Sequence, residues 1–401
     1  MSDTGQRPPP REDFRDCRLL LAGVLMFYFA VLLVMSINLA LDDAWNKLGV
    51  PALGLFGDLL FITRDGEAVL HGLPRTEGFF YPPACYWFAH LGLGERHNTA
   101  AGIVLGVGFF TAALLVFGRV RREHLFYYAA LLCSPSIMLG VARGNIDLFV
   151  FILLAIALLL LHAENNARKA AAYLLIVFAA MLKLYPIVGA AVAVREKRYR
   201  WLLVGLSMGV LFGIYLWFSR DDLRDMFKLA PRFAFLTFGA PVIFDRIWFG
   251  DPANPKYGAA LSALVFAGSW IAAWRSGSAL RRDSGNAHAL DSFRIGSAIY
   301  LGCFALIQYN FVYRHMMLLL TVPQWLEWRR AGGRTARIAT VALANLALAF
   351  WLPRYARNWW NLDQLCDWIL FALHSYALIA TAPDEVRKFI TPGERTATAS
   401  F

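Results

Sequence analysis

Few polar residues in this chain have the chemistry to do work, and they stand at the margins of apolar runs. The set is Asp58, Tyr81-Pro82-Pro83, Arg143, Asn145, Asp147, Lys183, Tyr185, Arg314 and His315. Polar groups near hydrocarbon are costly unless paired or hydrated, so such a gathering calls for a reason. A carboxylate at an interface can take the proton of an attacking hydroxyl. Asp58 is the candidate base, with Asp42 and Asp43, directly after the first apolar run, as the alternative. Arginine offers an anionic leaving group a bidentate fork and lysine a mobile point charge, and Arg314, His315 and Lys183 suit a phosphate in this way. Structural readings compete. Arg143 and Asp147, spaced i to i+4, also suit a pair at a helix start, and Tyr81-Pro82-Pro83 suits a fixed entry into the membrane.

The elements that must carry these residues are membrane helices. With 401 residues, 58% hydrophobic and 17% charged, the chain is too apolar for a soluble protein of its length. Apolar runs imply an all-α polytopic fold, a bundle of about 10–12 transmembrane helices. The net charge of +11 resides in short loops, where Lys and Arg orient spans and face anionic lipid, so it excludes nucleic acid as a partner. The five cysteines are scattered, without metal-ligand spacing or a disulfide framework. The expected organisation is a cytoplasmic tail over 1–17, one membrane domain over 18–382 and a second cytoplasmic tail over 383–401. Its first extracytoplasmic loop, 42–82, is expected to carry interfacial helices.

The positive-inside rule tests this threading. Arg11, Arg15 and Arg18, then Arg119-Val120-Arg121-Arg122, then Arg168-Lys169 fall on one side, and Arg143 to Asp147 on the other. A single crossing by the run 170–194 would put Arg195 to Arg200 on the wrong side and invert every later basic loop. The run must therefore enter and return, breaking at Lys183-Leu184-Tyr185-Pro186, where proline removes a helix hydrogen bond. Broken backbone at membrane depth is tolerated where it lines a cavity, which Lys183 and Tyr185 would then face.

The order of these motifs resembles the class C (GT-C) integral-membrane glycosyltransferases, and among them glycosyltransferase family 87, which includes polyprenyl-phosphate-mannose-dependent mannosyltransferases. The resemblance rests on Asp58 in the first outside loop, Tyr81-Pro82-Pro83, Arg143-Gly144-Asn145-Ile146-Asp147, Lys183-Leu184-Tyr185-Pro186 and Asn310 to His315. It implies inverting transfer of one sugar, mannose or another monosaccharide, from a polyprenyl-phosphate donor to a glycolipid or glycan acceptor. An Asp of the first loop would be the base, on the extracytoplasmic side of a multi-pass plasma (inner) membrane protein. Arg314, His315 and Lys183 would contact the donor phosphate, and Arg143, Asn145, Asp147, Tyr185 and Tyr81 the donor or its sugar. No metal or other cofactor is required, because a lipid phosphate already leaves readily. The alternative is a secondary transporter or lipid-linked-sugar flippase, although such proteins tend to carry paired broken helices in two halves and this sequence shows one break.

Overall fold

The computed structural model describes residues 16–38, 55–72, 81–197, 199–229, 236–247, 255–276, 278–307, 309–352 and 361–386. Among these the protein is almost wholly helical. The principal helices are α1 (Arg18–Asn38), α2 (Gly57–Leu70), α3 (Asn98–Phe117), α4 (Arg122–Leu132), α5 (Pro135–Arg143), α6 (Asp147–Leu161), α7 (Asn166–Lys183) and α8 (Arg200–Phe218). They continue with α9 (Arg220–Leu229), α10 (Val242–Ile247), α11 (Pro255–Ser276), α12 (Ser278–Arg282), α13 (Ala287–Gly302), α14 (Val322–Arg330), α15 (Gly333–Trp351) and α16 (Leu362–Ala380). One two-stranded antiparallel ladder, β1 (Thr237–Phe238) on β2 (Asn310–Phe311), pairs Thr237 with Phe311 and Phe238 with Asn310. A single hydrophobic cluster runs from Leu21 to Ala380, and Trp325, Trp328 and Phe293 pack edge to face within it.

Among the described residues, four helical segments are by length and composition able to cross a membrane, or five if α4 and α5, bent by 54°, count as one span. Runs that look like spans in sequence are shortened by breaks, as at Lys183, or end early, as α6 does after 15 residues. Most of the α6 side chains are buried against neighbouring helices, with Ile156 and Leu159 left exposed. By contrast α8 turns most of its surface outward, with Leu203, Leu206, Val210, Ile214 and Trp217 all exposed.

Contacts between distant segments fix which loops share an end. The Cys17 amide donates to the Val120 carbonyl at 2.9 Å. Arg330 reaches Glu123 at 3.4 Å, and Arg281 pairs with Asp384. The run after Lys183 does return. A 3-10 helix, Tyr185–Arg195, folds back so that the Tyr173 hydroxyl donates to Glu196 at 2.7 Å. Were the rod continuous, those residues would stand more than about 30 Å apart. The basic loops therefore collect at one end. Asp147, about 21 Å along α6 from Leu161, marks the other.

Candidate active site

At that second end the site is built on unusual backbone. Phe56 adopts the left-handed conformation (φ 58°), which a non-glycine residue enters only at a cost. Its ring is buried in a niche that exists because residue 102 is glycine; a Cβ there would run into the ring. The Phe56 amide donates to the Ala142 carbonyl at 2.7 Å, and Asn98 Nδ2 donates to the Phe56 carbonyl at 3.4 Å. Asp58 follows in the first turn of α2 and is 3% exposed.

The partner segment is Arg143-Gly144-Asn145-Ile146-Asp147. Ser134 caps α5 and Pro135 opens it, while Gly144 closes it in the left-handed region (φ 58°). A Cβ on Gly144 would lie 3.1 Å from the Cβ atoms of both Phe56 and Leu59, so glycine also permits the loop carrying Asp58 to approach. Asn145 Oδ1 then accepts the Asp147 amide at 2.9 Å, which starts α6. This turn aims three side chains at once.

Arg143 donates Nε (2.9 Å) and Nη2 (2.6 Å) to Asp58 Oδ1, while Asn145 Nδ2 donates to Asp58 Oδ2. The second Asn145 donor goes to the Tyr313 hydroxyl at 3.0 Å. Beside this pair Asp147, fully buried, stands 3.4 Å from Arg314 Nε and 3.7 Å from Lys183 Nζ. Arg314 Nη1 donates to Asn310 Oδ1 at 2.6 Å, and its guanidinium lies 5.2 Å from the centre of the Tyr185 ring. Lys183 Nζ sits 4.6 Å over the Tyr81 ring, and Arg143 lies 5.4 Å from the Phe311 ring. Lys183 reaches the cluster because α7 ends there: Leu184 takes φ 49° and the chain turns back at Pro186.

Asp58, Arg143, Asn145, Asp147, Lys183, Tyr185, Tyr81 and Arg314 are thus brought together from five separate segments. The i to i+4 pair of Arg143 with Asp147 does not form, since Arg143 takes Asp58 and Asp147 takes Arg314 and Lys183. His315, expected beside Arg314 at the phosphate, is placed elsewhere. It is fully buried, 2.9 Å from Asp367 Oδ1, with its ring stacked on Phe238 at 4.2 Å. His315 follows Arg314 directly on the 3-10 helix Val312–Thr321, and neighbouring positions on a helix point about 100–120° apart, so the two do not share a face. Asp42 and Asp43 lie outside the described residues. Asn310 and Tyr313 belong to the network without being expected there; they carry no charge, and only the spacing of Asn310 four residues before Arg314 hinted at the former.

The described residues also tie the 236–247 segment to this end. Arg246 Nη1 donates to both oxygens of Asp363 at 2.8 Å, and Gln364 Nε2 donates to the Thr237 carbonyl at 2.9 Å. β1 and β2 are thereby held over the start of α16.

Residues 79–290, more than half of the chain, match glycosyltransferase family 87. The chain belongs to that family. Neither the curated proteins nor the solved structures supply a match. This family 87 protein is a membrane glycosyltransferase, and the matched region contributes Tyr81, Arg143, Asn145, Asp147, Lys183 and Tyr185 to the cluster. Asp58 and Arg314 come from outside the matched region, and the fold seats them on it.

Proposed function

We propose that this family 87 enzyme transfers one sugar, mannose or another monosaccharide, with inversion, from a polyprenyl-phosphate donor to a hydroxyl of a glycolipid or glycan. The observation that carries the reading is the cluster's composition. Two carboxylates, Asp58 and Asp147, stand among three cations, Arg143, Lys183 and Arg314, which leaves one formal positive charge for an anionic substrate. The donor is a phosphodiester carrying one negative charge, and the departing lipid phosphate gains another.

In the proposed step the acceptor oxygen bonds to the anomeric carbon as the bond from that carbon to the phosphate oxygen breaks. The bonding electrons leave with the phosphate, and the acceptor proton passes to Asp58. Oδ1 of Asp58 already accepts two guanidinium N–H groups while Oδ2 accepts a single amide N–H, so Oδ2 keeps a lone pair for that proton. Arg314 and Lys183 meet the developing phosphate charge, and Asp147 holds the two apart until it arrives. Asn145 and Tyr313 fix the Asp58 carboxylate in the required plane, and Tyr81 and Tyr185 wall the sugar. The basic loops gather at the opposite end, which supports an extracytoplasmic site in the plasma membrane under the positive-inside rule.

The test is transfer of radiolabelled sugar from a panel of synthetic polyprenyl-phosphate sugars, with protein in lipid nanodiscs, envelope glycolipid as acceptor, and Asp58→Asn in parallel. A labelled product that vanishes in the variant is the expected result. Donor binding without transfer by the wild type would turn the reading toward transport, and wild-type turnover in Asp58→Asn would remove Asp58 as base.

A further inference from the structure

At the arginine-rich end the re-entrant hairpin closes on a recess of about 330 Å³ lined by Lys169, Arg195, Glu196, Lys197 and Arg200. Its charge is strongly one-sided, four cations against one carboxylate. That carboxylate already accepts the Tyr173 hydroxyl at 2.7 Å, and Arg195 also stands 3.1 Å from the buried Asp291. Lys169, Lys197 and Arg200 are the cations for which no anionic partner is described. Two helices of 18 and 19 residues, α7 and α8, begin beside this recess, and α8 begins without a side-chain cap. Their positive ends add to the same field.

Continuity with an apolar surface identifies the occupant. Directly beyond Arg200 the outward face of α8 presents Leu203, Leu206, Val210, Ile214 and Trp217 at helical spacing, and Tyr199 is 74% exposed at the headgroup level. We infer that the recess binds the phosphate headgroup of an anionic phospholipid from the leaflet on the basic side, with its acyl chains laid along the exposed stripe of α8. The bound lipid would bridge the two strokes of the hairpin, α7 through Lys169 and the segment after the 3-10 helix through Lys197 and Arg200. The tip of that same hairpin carries Lys183 and Tyr185.

The test leaves the transferase site untouched. Full-length protein is stripped with detergent, reloaded with phosphatidylglycerol or phosphatidylcholine, and followed by native mass spectrometry and thermal unfolding, with glycerol 3-phosphate as the soluble arm. Wild type should retain phosphatidylglycerol through delipidation steps that remove phosphatidylcholine, and should unfold at higher temperature when loaded. Lys169→Gln with Lys197→Gln should weaken that retention by about tenfold or more, and Lys169→Arg with Lys197→Arg should restore it. Equal retention by the glutamine variant, equal retention of the two lipids, or glycerol 3-phosphate raising the unfolding temperature as much as phosphatidylglycerol would each overturn the inference.

Discussion

Asp58 at one end of the bundle and Asp291 at the other are both buried and both held by arginine, yet the backbone beneath them differs. Asp291 is 3.1 Å from Arg294 one helical turn on, 3.1 Å from Arg195 at the end of the 3-10 helix and 3.3 Å from His162 just after α6, none of them at a positive φ. Arg294 spends its other nitrogen on the Thr381 carbonyl at 3.0 Å, closing the bundle around it. Around Asp58 and Asp147 three positions are left-handed, Phe56, Gly144 and Leu184, and the side chains issue from helix ends and breaks. Asp147 keeps contacts of 3.7 and 3.4 Å to Lys183 and Arg314. Backbone strain persists where the surroundings over-determine it, and it gathers at functional sites. Under the proposed function, the difference separates a cluster that fastens helices from one that receives a substrate.

The sharpest way to break that contrast is Asp58→Asn. Losing a positioned general base should lower the rate of sugar transfer by about 10²–10⁴-fold, because the amide retains the shape but cannot take the proton. The variant should still fold, at a cost of about 2–3 kcal/mol, since Asn can accept from Arg143 but leaves its buried charge unpaired, so the rate is read on folded protein. A variant that is inactive only because it no longer folds would fail the comparison on its first term.

Arg314→Lys should come next. Charge is kept, but the fork that spans Asp147 and Asn310 and the face laid on Tyr185 are lost. Donor affinity should fall by about 10–100-fold, corresponding to one or two charge-assisted hydrogen bonds. Donor titration followed by tryptophan fluorescence would measure it, and an unchanged affinity would take Arg314 out of the phosphate site.

Gly144→Ala probes the backbone alone. The methyl group meets Phe56 and Leu59 at 3.1 Å and the residue must hold φ 58°, so about 1–2 kcal/mol of stability should be lost. Asp58 should shift with its loop, lowering transfer by about tenfold with little change in donor affinity. A variant with wild-type rate would show that the turn is not what aims the carboxylate.

Much of this end was legible in the sequence because charge in an apolar chain is conspicuous. Asp58, Arg143, Asp147, Lys183 and Arg314 stood out for that reason, and the basic loops demanded the return at Pro186 that the Tyr173–Glu196 bond displays. What stayed hidden depends on which face each residue takes and on neutral atoms. Neighbouring positions on a helix point about 100–120° apart, so His315 turns toward Asp367 and away from Arg314, and the sequence does not show which of the two faces the cluster. Tyr313 and Asn310 matter through a hydroxyl and an amide, groups too common to stand out.

The smallest expected effect on chemistry belongs to Asp291→Asn, which removes one charge from the fastening cluster. Arg195 and Arg294 would lose their shared carboxylate inside the protein, and breaking a buried ion pair costs about 3–5 kcal/mol. Asn still accepts from one guanidinium, and Arg294 retains the Thr381 carbonyl, so a loss of about 2–3 kcal/mol is the expectation. Transfer at 25 °C should stay within about twofold of wild type, because the change lies at the far end of α6 and α13 from the reacting atoms. The pair of readouts decides the matter: a lowered unfolding temperature with an intact rate supports a fastening role. A rate that falls as far as in Asp58→Asn would mean that the two ends are coupled through the hairpin, and that the lack of positive-φ backbone around Asp291 is no guide to what it does.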